Sequence, residues 1–364
     1  MNILELSKPF NHGGMAEHVL ALSVMLKKLG HHVIVASNNG DHLDKLDSSG
    51  IEHVELSFTV KNPFGFLTCA RKLKKIIKQK KIDIVHCHYR ACALYMRYLQ
   101  VFCRVKVPFV WSNHLFGIPN DYLHKKFTFT GEKVIAVSNE LKQNLVQNFD
   151  IPDQKIAVVN NGIDVEYLVE PSIDERKNAK EEYGVSGKTV CSVLGRLVPV
   201  KGHTVAINVL DKLRERSDLV FLFAGIGDKD YKEKLVKQIE KKNLTDRIIF
   251  VGQTDTRKLL SASDVMILPS FKEGFPLSVI ESFASKVPVV RTKTSGYDET
   301  KDCVVGVEIG NADEFATELD KLLSDKEKIE KLTQNAYEMV LENWTTEVMT
   351  KKILGIYKEV LDRK

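Results

Sequence analysis

Two glutamates eight positions apart frame the segment of this sequence that is best suited to chemistry. The stretch KEGFPLSVIESFASKVPVV, residues 272–290, places Glu273 in the loop before a helix and Glu281 between one and two turns inside it. Gly274 frees the backbone, and Pro276 suits the first helical position because its missing N–H leaves nothing unpaired there. The positive N-terminal end of such a helix attracts an anion. Flanked by two carboxylates, it suits a ligand with central phosphates and terminal hydroxyls, such as a nucleotide sugar.

Taken alone, that pair of glutamates is explained by a capped helix with an acid near its start. A second motif supports the chemical interpretation. LGRLVPVKGH, residues 194–203, follows the first strand of the second half of the chain. Arg196 as a planar fork and Lys201 as a point charge can both converge on a diphosphate. Exposed basic residues are common, but two cations beside glycines at a strand end favour a phosphate site.

Glycines follow two further strands. In PFNHGGMAEH, residues 9–18, Gly13 and Gly14 would let the backbone approach a ligand just before a helix begins. A tight strand-to-helix turn explains them equally well. In AGIGD, residues 224–228, a structural role and a ligand-lining role for Gly225 are equally consistent with the sequence.

The histidines at strand ends are candidates for a metal site or for substrate contacts. His86 and His88 alternate along one strand end, and His114 closes another strand. A metal site would need a third ligand and an orienting second shell, and the sequence indicates neither. We therefore predict no metal site, and expect His114 to be placed to reach a substrate hydroxyl.

Length, cysteine usage and hydropathy limit the class of protein. A chain of 364 residues fits two domains of ordinary size. The six cysteines show no CxxC pairing, which indicates reduced thiols in the cytoplasm. No signal peptide is evident, and no apolar run reaches the ~20 residues of a spanning helix. The longest candidate, ACALYMRYLQVFCRV, is interrupted by Arg97 and Arg104.

Charge is placed unevenly along the chain. Residues 1–170 hold 21 basic and 16 acidic residues, a net charge of +5, while the remainder holds 32 of each. This modest excess points to anionic surfaces or substrates. Nucleic acid is excluded as a partner because the charge is small and no nucleic-acid-binding motif is present.

Apolar, β-branched runs alternate with helical patterns along the whole chain. Such runs are typical of parallel strands buried on both faces, and the alternation predicts a doubly wound α/β fold. We predict two Rossmann-like domains, residues 1–168 and 169–344, whose strand ends face a central cleft. The predicted strands are NILELS, HHVIVAS, IEHVELS, IDIVHCH, PFVWSN, KVIAVSN and KIAVVN in the first domain, and TVCSVLG, LVFLFAG, RIIFVG, DVMILPS and VPVVRT in the second.

Together, GGMAEH, GRLVPVKGH, AGIGD and EGFPLSVIESFASKVPVV resemble family 4 of the retaining glycosyltransferases, the glycosyl transferases group 1 with the GT-B fold. The resemblance covers essentially the whole chain. It includes a tail similar to the family's crossover helix, which implies that residues 345–364 pack back on the N-terminal domain. One segment departs from the family, since TKTSGYDETKDCVVGVEIG carries an acidic cluster where many members are rich in glycine. The contacts made by this loop are left unassigned.

The resemblance implies a role for each charged candidate. Arg196 and Lys201 would hold the donor diphosphate and stabilise the negative charge of the leaving group. Glu281 would bind the ribose hydroxyls and Glu273 those of the transferred sugar, with His114 beside that sugar. These implied roles make Glu273, Arg196, Lys201 and His114 the predicted catalytic residues.

The resemblance also implies donor contacts from backbone N–H groups. These and the glycine of AGIGD complete the predicted donor-binding set: Gly13, Gly14, Gly225, Phe275 and Leu277, together with the Glu281 side chain. The donor is a substrate, so no cofactor is expected, and the family needs no divalent metal.

The predicted activity is metal-independent, retaining transfer of a hexose from a nucleotide diphosphate sugar, with UDP as the expected nucleotide. The expected acceptor is a saccharide or a lipid-linked molecule in bacterial surface polysaccharide or glycolipid assembly. The alternatives are a nonenzymatic GT-B-like nucleotide-sugar-binding protein and a GT-B nucleotide-sugar epimerase. A dehydrogenase is disfavoured because no glycine motif follows the G-x-G-x-x-G pattern.

A basic helix in the first domain suggests contact with a membrane. RKLKKIIKQKK, residues 71–81, holds seven basic residues, with Leu73, Ile76 and Ile77 on the opposing face. HLFGIPNDYLHKKFTFT, residues 114–130, adds aromatic residues and two lysines. An ordinary solvated helix explains the first pattern as well. Our hypothesis is a cytoplasmic protein in peripheral contact with an anionic acceptor at the inner face of the cytoplasmic membrane.

Overall fold

The computed structural model describes residues 1–11, 13–40, 43–58, 62–119 and 121–363. His12 of the first glycine motif and Asn120 of the aromatic segment lie outside the described residues. The chain divides into two compact units, residues 1–162 with 346–364, and residues 163–345. The division after residue 162 comes a few residues before the expected boundary at 168.

The first unit is built on seven parallel strands: β1 (Asn2–Leu6), β2 (His32–Ser37), β3 (Glu52–Glu55), β4 (Ile84–Cys87), β5 (Phe109–Asn113), β6 (Lys133–Ala136) and β7 (Ile156–Val158). Their order in the sheet is β3-β2-β1-β4-β5-β6-β7. The strand order reverses between β1 and β4, and ligands of doubly wound sheets bind outside the carboxyl ends of strands at such a point.

The helices of the first unit that precede β7 are α1 (Gly14–Lys28), α2 (Leu43–Ser48), α3 (Pro63–Gln79), α4 (Arg90–Cys103), α5 (Tyr122–Lys126) and α6 (Asn139–Phe149). Apolar residues on one side of each long helix reach the sheet, as Val19, Leu22 and Leu26 do from α1. In α3, Leu73 and Ile77 are buried as well. The first unit therefore buries most of the apolar face of α3, for which the sequence had suggested contact with lipid.

The second unit has six parallel strands: β8 (Thr189–Leu194), β9 (Leu219–Ala224), β10 (Ile248–Gly252), β11 (Val265–Leu268), β12 (Val289–Thr292) and β13 (Val305–Val307). Their order is β10-β9-β8-β11-β12-β13, so the strand order reverses between β8 and β11. Both faces of this sheet are buried. Along β9, Phe221 and Phe223 join one apolar cluster, while Val220 and Leu222 join another. The predicted doubly wound α/β class is thus confirmed in both units.

The helices of the second unit are α7 (Ile173–Glu182), α8 (His203–Lys212), α9 (Lys229–Lys241), α10 (Thr256–Ala262), α11 (Leu277–Ala284), α12 (Tyr297–Thr300), α13 (Ala312–Ser324) and α14 (Lys326–Asn343). The buried Trp344 ends α14, and its ring packs near those of Phe275 and Phe283.

The final helix, α15 (Thr346–Asp362), belongs to the first unit. Its residues Met349, Ile353 and Tyr357 share an apolar cluster with Ile3 of β1 and Ile84 of β4. One face of the first sheet is therefore closed by the end of the chain.

No helix within the described ranges is long and apolar enough to cross a membrane. The apolar run weighed in the sequence forms α4 and ends where Arg104 adopts a left-handed conformation as the C-cap.

Candidate functional site

The loops that follow β8 and β11 lie side by side where the strand order of the second sheet reverses. The Phe271 N–H donates to the Val200 carbonyl over 2.8 Å, which links the two loops. Where the two loops approach most closely, glycine is required at position 202, whose φ is 71°. A Cβ atom there would lie 1.9 Å from the Pro269 carbonyl oxygen. Residues from both loops are therefore held together at one position of the sheet edge.

Lys201 and Glu273 form an ion pair across these two loops. The Lys201 Nζ lies 2.7 Å from one carboxylate oxygen of Glu273 and 2.9 Å from the other. The Glu273 side chain is only 7% exposed and that of Lys201 22%. Two residues that the sequence selected 72 positions apart are thus brought into direct contact. The carboxylate oxygens and the ammonium retain further hydrogen-bonding capacity for a ligand.

Arg196 lies in the same loop as Lys201 and is exposed. Among the described residues, its guanidinium makes no hydrogen bond or ion pair. This loop therefore presents one cation held by a carboxylate and one that can reorient toward a ligand.

Gly225 lies in the loop after β9 and packs directly on the loop after β8. Its φ is 135°, and a Cβ atom would lie 2.1 Å from the Gly195 carbonyl oxygen. The Leu197 N–H donates to Ile226, and the Asp228 N–H donates back to Leu197, each over 3.1 Å. Glycine at 225 thus has a structural reason, and its ligand-lining role stays a prediction.

Helix α11 begins one residue later than the sequence suggested. Pro276 is its N-cap, with φ of −72° and ψ of 119°, and Leu277 is its first residue. The prediction that Pro276 occupies the first helical position is therefore wrong, because its extended ψ places it outside the helix. Glu281 is the fifth residue of α11, as expected. The buried Phe275 side chain anchors the preceding loop.

A residue that the sequence analysis missed organises the loop after β12. The guanidinium of Arg291 is fully buried at the end of that strand. In the sequence, the only indication of this role was a charged residue near the end of the apolar run VPVVRT. It donates hydrogen bonds to the backbone carbonyls of Thr292, Thr294, Ser295 and Gly296 and to the hydroxyls of Thr294 and Thr300. The segment flagged as a departure from the family is thus held by a fixed hydrogen-bond network.

In the first unit, Gly13 and Gly14 occupy the turn from β1 to α1. Gly13 is the N-cap of α1, with φ of 150°, and Gly14 is the first residue of the helix. Both are exposed. The free N–H groups of a 15-residue helix therefore open at the carboxyl end of β1, where the strand order reverses.

The same position of the first sheet gathers a cluster of histidines around a buried carboxylate. His86 and His88 lie at the end of β4 and His114 follows β5, as the sequence indicated. The structure adds Glu5 from β1 and His18 from α1. Sequence reasoning missed these two, although an acid inside the apolar strand NILELS was a signal.

Two branches of hydrogen bonds meet at Glu5. In one, a Glu5 oxygen is bonded to His88 Nε2, and His88 Nδ1 lies 3.1 Å from His114 Nε2. In the other, the Tyr357 hydroxyl donates to the second Glu5 oxygen over 3.2 Å and lies 2.6 Å from His86 Nδ1. His86 Nε2 lies 2.7 Å from the Ser112 hydroxyl.

Burial keeps several of these histidines neutral at pH 7. It lowers the pKa of His18 to about 3, with a smaller contribution from the neighbouring His88. Burial is also the largest cause that holds the pKa of His86 and of His114 well below its ordinary value. Neutral imidazoles can act as hydrogen-bond donors, acceptors or metal ligands.

Two groups in this cluster have ligand atoms close enough together for a divalent transition metal. His18, His88 and His114 form one, and Glu5, His86 and His88 form the other, each with ligand atoms within 4.8 Å. In the second group, hydrogen bonds already occupy the nitrogens of both histidines. That the protein needs no metal stays a prediction.

Comparisons with known proteins assign both units to glycosyltransferases. The family model described as Glycosyltransferase Family 4 matches residues 12–167, and the one described as Glycosyl transferases group 1 matches residues 175–339. An uncharacterized glycosyltransferase of Methanocaldococcus jannaschii is 28% identical over 96% of this chain and 95% of its own length.

Two further proteins are informative. The UDP-Gal:alpha-D-GlcNAc-diphosphoundecaprenol alpha-1,3-galactosyltransferase of Escherichia coli is 24% identical over 80% of this chain and 79% of its own length. The crystal structure of a glycosyltransferase from Rickettsia africae is 28% identical and superposes with a TM-score of 0.88, covering 100% of this chain and 99% of that one.

Proposed function

The chain belongs to glycosyltransferase family 4, with the GT-B fold, and we propose that it transfers a hexose from a UDP-sugar to a saccharide or lipid-linked acceptor. The proposed reaction retains the anomeric configuration of the sugar. The observation that carries the proposal is the Lys201–Glu273 pair, with Arg196 beside it, where the strand order of the second sheet reverses.

The charges at this position suit the departure of a nucleoside diphosphate. Negative charge grows on the diphosphate as its bond to the anomeric carbon breaks. Lys201 is oriented in advance by Glu273, and Arg196 offers a planar fork for two phosphate oxygens. The N-terminus of α11, at Leu277, adds N–H groups and a favourable dipole. Glu281, one turn further along, offers acceptors to the ribose hydroxyls.

Retention is proposed through a front-face reaction. The bond from the acceptor oxygen to the anomeric carbon forms on the face from which the diphosphate departs, and a phosphate oxygen takes the acceptor proton. No carboxylate is assigned as a nucleophile. Because two cations and a helix end provide the positive charge, we propose that transfer needs no divalent metal.

The name of the Escherichia coli relative supports both substrate proposals. That protein takes its sugar from UDP-Gal and acts on a diphosphoundecaprenol-linked sugar. By analogy, we propose a UDP-linked donor, a lipid-linked acceptor and a role in bacterial surface polysaccharide or glycolipid assembly.

Such an acceptor places the reaction near the cytoplasmic face of a membrane, and we propose peripheral contact through the basic face of α3. Lys74 and Lys75 are exposed there, while Leu73 and Ile77 are buried, so the contact is electrostatic.

Flotation with lipid vesicles tests the proposed membrane contact of α3. We expect binding to vesicles with anionic lipid and its loss in Lys74→Glu/Lys75→Glu, whereas Lys234→Glu on α9 serves as the control. Equal binding to neutral vesicles would contradict the proposal.

A donor screen tests the proposed activity. UDP-, GDP- and ADP-sugars are compared by thermal shift and by slow hydrolysis, using wild type, Glu281→Ala and, as a control, the exposed Glu233→Ala. We expect one UDP-sugar to raise the melting temperature and to be hydrolysed, with both effects lost only in Glu281→Ala.

The same screen separates the alternatives. Binding without hydrolysis or transfer would indicate a nonenzymatic nucleotide-sugar-binding protein. Conversion of the donor to its epimer without an acceptor would indicate an epimerase. If no nucleotide sugar changes the melting temperature, the proposed donor site is wrong.

A further inference from the structure

Three histidine rings from separate elements meet at the carboxyl edge of the first sheet. His18 comes from the second turn of α1, His88 follows β4 and His114 follows β5. Each ring offers a nitrogen, and the three nitrogens lie within 4.8 Å of one another. The fold therefore brings three potential metal ligands together from distant parts of the sequence.

His18 is the ring whose burial the hydrogen bonds do not explain. It is 3% exposed, and among the described residues neither of its ring nitrogens has a hydrogen-bond partner. A polar neighbour, the Asn161 side chain, lies outside hydrogen-bond geometry to the ring. Burying an unpaired polar atom costs free energy. A ligand that accepts a nitrogen lone pair from His18 would offset part of that cost.

The spacing of the three rings is that of imidazoles around a common ion. Their centroids are 4.6, 5.4 and 5.4 Å apart. Zinc binds an imidazole nitrogen at about 2.0–2.1 Å, which puts two such ring centres roughly 5 Å apart. His88 Nδ1 and His114 Nε2 are 3.1 Å apart, close to the roughly 3.3 Å between two ligands of a tetrahedral zinc ion. A hydrogen bond explains this last contact equally well, but it leaves His18 unexplained.

The other nitrogen of His88 is held by a carboxylate. Glu5 is completely buried, and one of its oxygens is bonded to His88 Nε2. The Tyr357 hydroxyl lies 3.2 Å from the other oxygen. Histidines that bind a metal commonly bond a carboxylate in this way, which fixes the orientation of the ring. Glu5 is therefore placed to orient His88 as a ligand.

We propose that His18, His88 and His114 bind one divalent transition-metal ion of the class of Zn²⁺. Imidazoles favour zinc, cobalt, nickel and copper over magnesium and calcium. An incoming ion displaces any proton from the nitrogens that it binds, so the proposal requires no particular protonation state of Glu5 or His88 in the metal-free protein. The ion would connect α1 to the ends of β4 and β5. This inference does not rest on sugar transfer, for which we propose no metal.

A second group, formed by Glu5, His86 and His88, is the alternative binding site. Both nitrogens of His86 are already bonded to hydroxyl groups. Binding there would break one of these contacts, whereas His18 has no hydrogen bond to lose. The structure therefore favours the first group, and variants of His18 and His86 distinguish the two.

Metal binding is tested on the full chain after treatment with EDTA and removal of the chelator. We expect isothermal titration calorimetry to show about one Zn²⁺ per chain, and Co²⁺ to give the strong visible absorption of a tetrahedral site with nitrogen ligands. Zn²⁺ should also raise the melting temperature, because the ligands come together only in the folded protein. Failure of the wild-type protein to bind either ion would overturn the proposal. A Co²⁺ spectrum with thiolate bands would also overturn it, since the ion would then be bound to cysteine.

Matched variants locate the ion. His18→Gln should weaken Zn²⁺ binding roughly a hundredfold or more, since the loss of a partner that only orients a ligand already costs about 10–100-fold. His86→Gln alters a buried histidine of the second group and His32→Gln an exposed one, and both should change the affinity far less. Unchanged affinity in folded His18→Gln, or an equal loss in His86→Gln, would overturn the assignment. If the protein transfers no sugar, the proposed function fails while the metal result still stands.

Discussion

At the residue scale, the Lys201–Glu273 pair contributes both to the stability of the fold and to the proposed binding of the donor. Glu273 is too buried to remain a lone carboxylate without cost, and Lys201 is the cation that compensates it. The same contact holds the ammonium at the point where the strand order reverses. A substitution here changes both folding and donor binding, so the two effects need separate variants.

Arg196→Ala should weaken donor binding without changing stability. Its exposed guanidinium contributes little to folding, so we expect a change within about 0.5 kcal/mol in the free energy of unfolding. The loss of charge-assisted hydrogen bonds should weaken UDP-sugar binding roughly tenfold or more. Isothermal titration calorimetry measures the affinity for the UDP-sugar in Arg196→Ala and in the exposed Lys234→Ala, which serves as the control. Equal affinities in the two variants would remove Arg196 from the donor site.

Lys201→Met should lower both stability and donor affinity, because it leaves the Glu273 carboxylate unpaired. We expect a loss of about 1–3 kcal/mol in the free energy of unfolding. Lys201→Met/Glu273→Gln removes both charges and should recover most of that stability, yet donor binding should stay weak. Urea unfolding and calorimetry separate these results. Donor affinity that returns together with stability would show that Lys201 acts only on folding.

The buried histidines should make the first unit lose stability in mild acid. His18, His86 and His114 stay neutral when folded, because burial lowers each pKa, but take up protons below about pH 6.5 when unfolded. Stability is therefore fully present above that pH. Each group removes up to ~1.4 kcal/mol per pH unit as the pH falls toward its folded pKa.

Urea unfolding between pH 7.5 and about 5, above the range where carboxylates titrate, measures this slope. His18→Phe should reduce this slope by up to ~1.4 kcal/mol per pH unit, while Lys234→Ala at an exposed position should leave it unchanged. A stability that does not change with pH over this range would contradict the neutral state of His18, His86 and His114 in the folded protein.

At the element scale, the strand ends and their loops determine where the candidate residues lie. The apolar runs predicted β1 to β12 because parallel strands buried on both faces leave a strong signal. β13 was missed, since it spans only three residues and has a glycine at its centre. The start of α11 was misjudged by one residue because a proline suits both an N-cap and a first turn.

Contacts between elements were harder to predict than the elements themselves. Arg196, Lys201 and Glu273 follow strands that the sequence identified, so their common sheet edge could be expected. The hydrogen-bond chain of Glu5 could not, because its members come from separate strands and helices with no shared motif. The role of Arg291 could not be predicted either, because most of its partners are backbone carbonyls, which the sequence does not reveal.

Gly225→Ala tests whether the loops after β8 and β9 need this close approach. The new Cβ would collide with the Gly195 carbonyl oxygen at a φ of 135°, so we expect a loss of about 2 kcal/mol or more. Gly252→Ala is the matched control, with φ of 69° and open space around its Cβ position, and should cost about 1 kcal/mol. If urea unfolding gives equal losses, the packing argument for Gly225 fails.

At the scale of the whole molecule, two parallel sheets repeat one plan. Each reverses its strand order once, and each gathers its candidate side chains at that point. The first unit offers histidines, a carboxylate and a glycine turn, whereas the second offers two cations, a carboxylate and a helix end. The excess of positive charge lies in residues 1–170, the part of the chain for which we propose contact with an anionic acceptor.

The most direct test of the central claim is the first-formed anomer of the sugar released from a UDP-sugar by metal-free protein, followed by NMR. We predict that an α-linked donor releases the α-anomer, that EDTA leaves the rate unchanged, and that Lys201→Met/Glu273→Gln abolishes release. Release of the β-anomer would contradict retention. A rate that depends on added metal would contradict the cation-based site, and no release with any UDP-sugar would contradict the proposed donor.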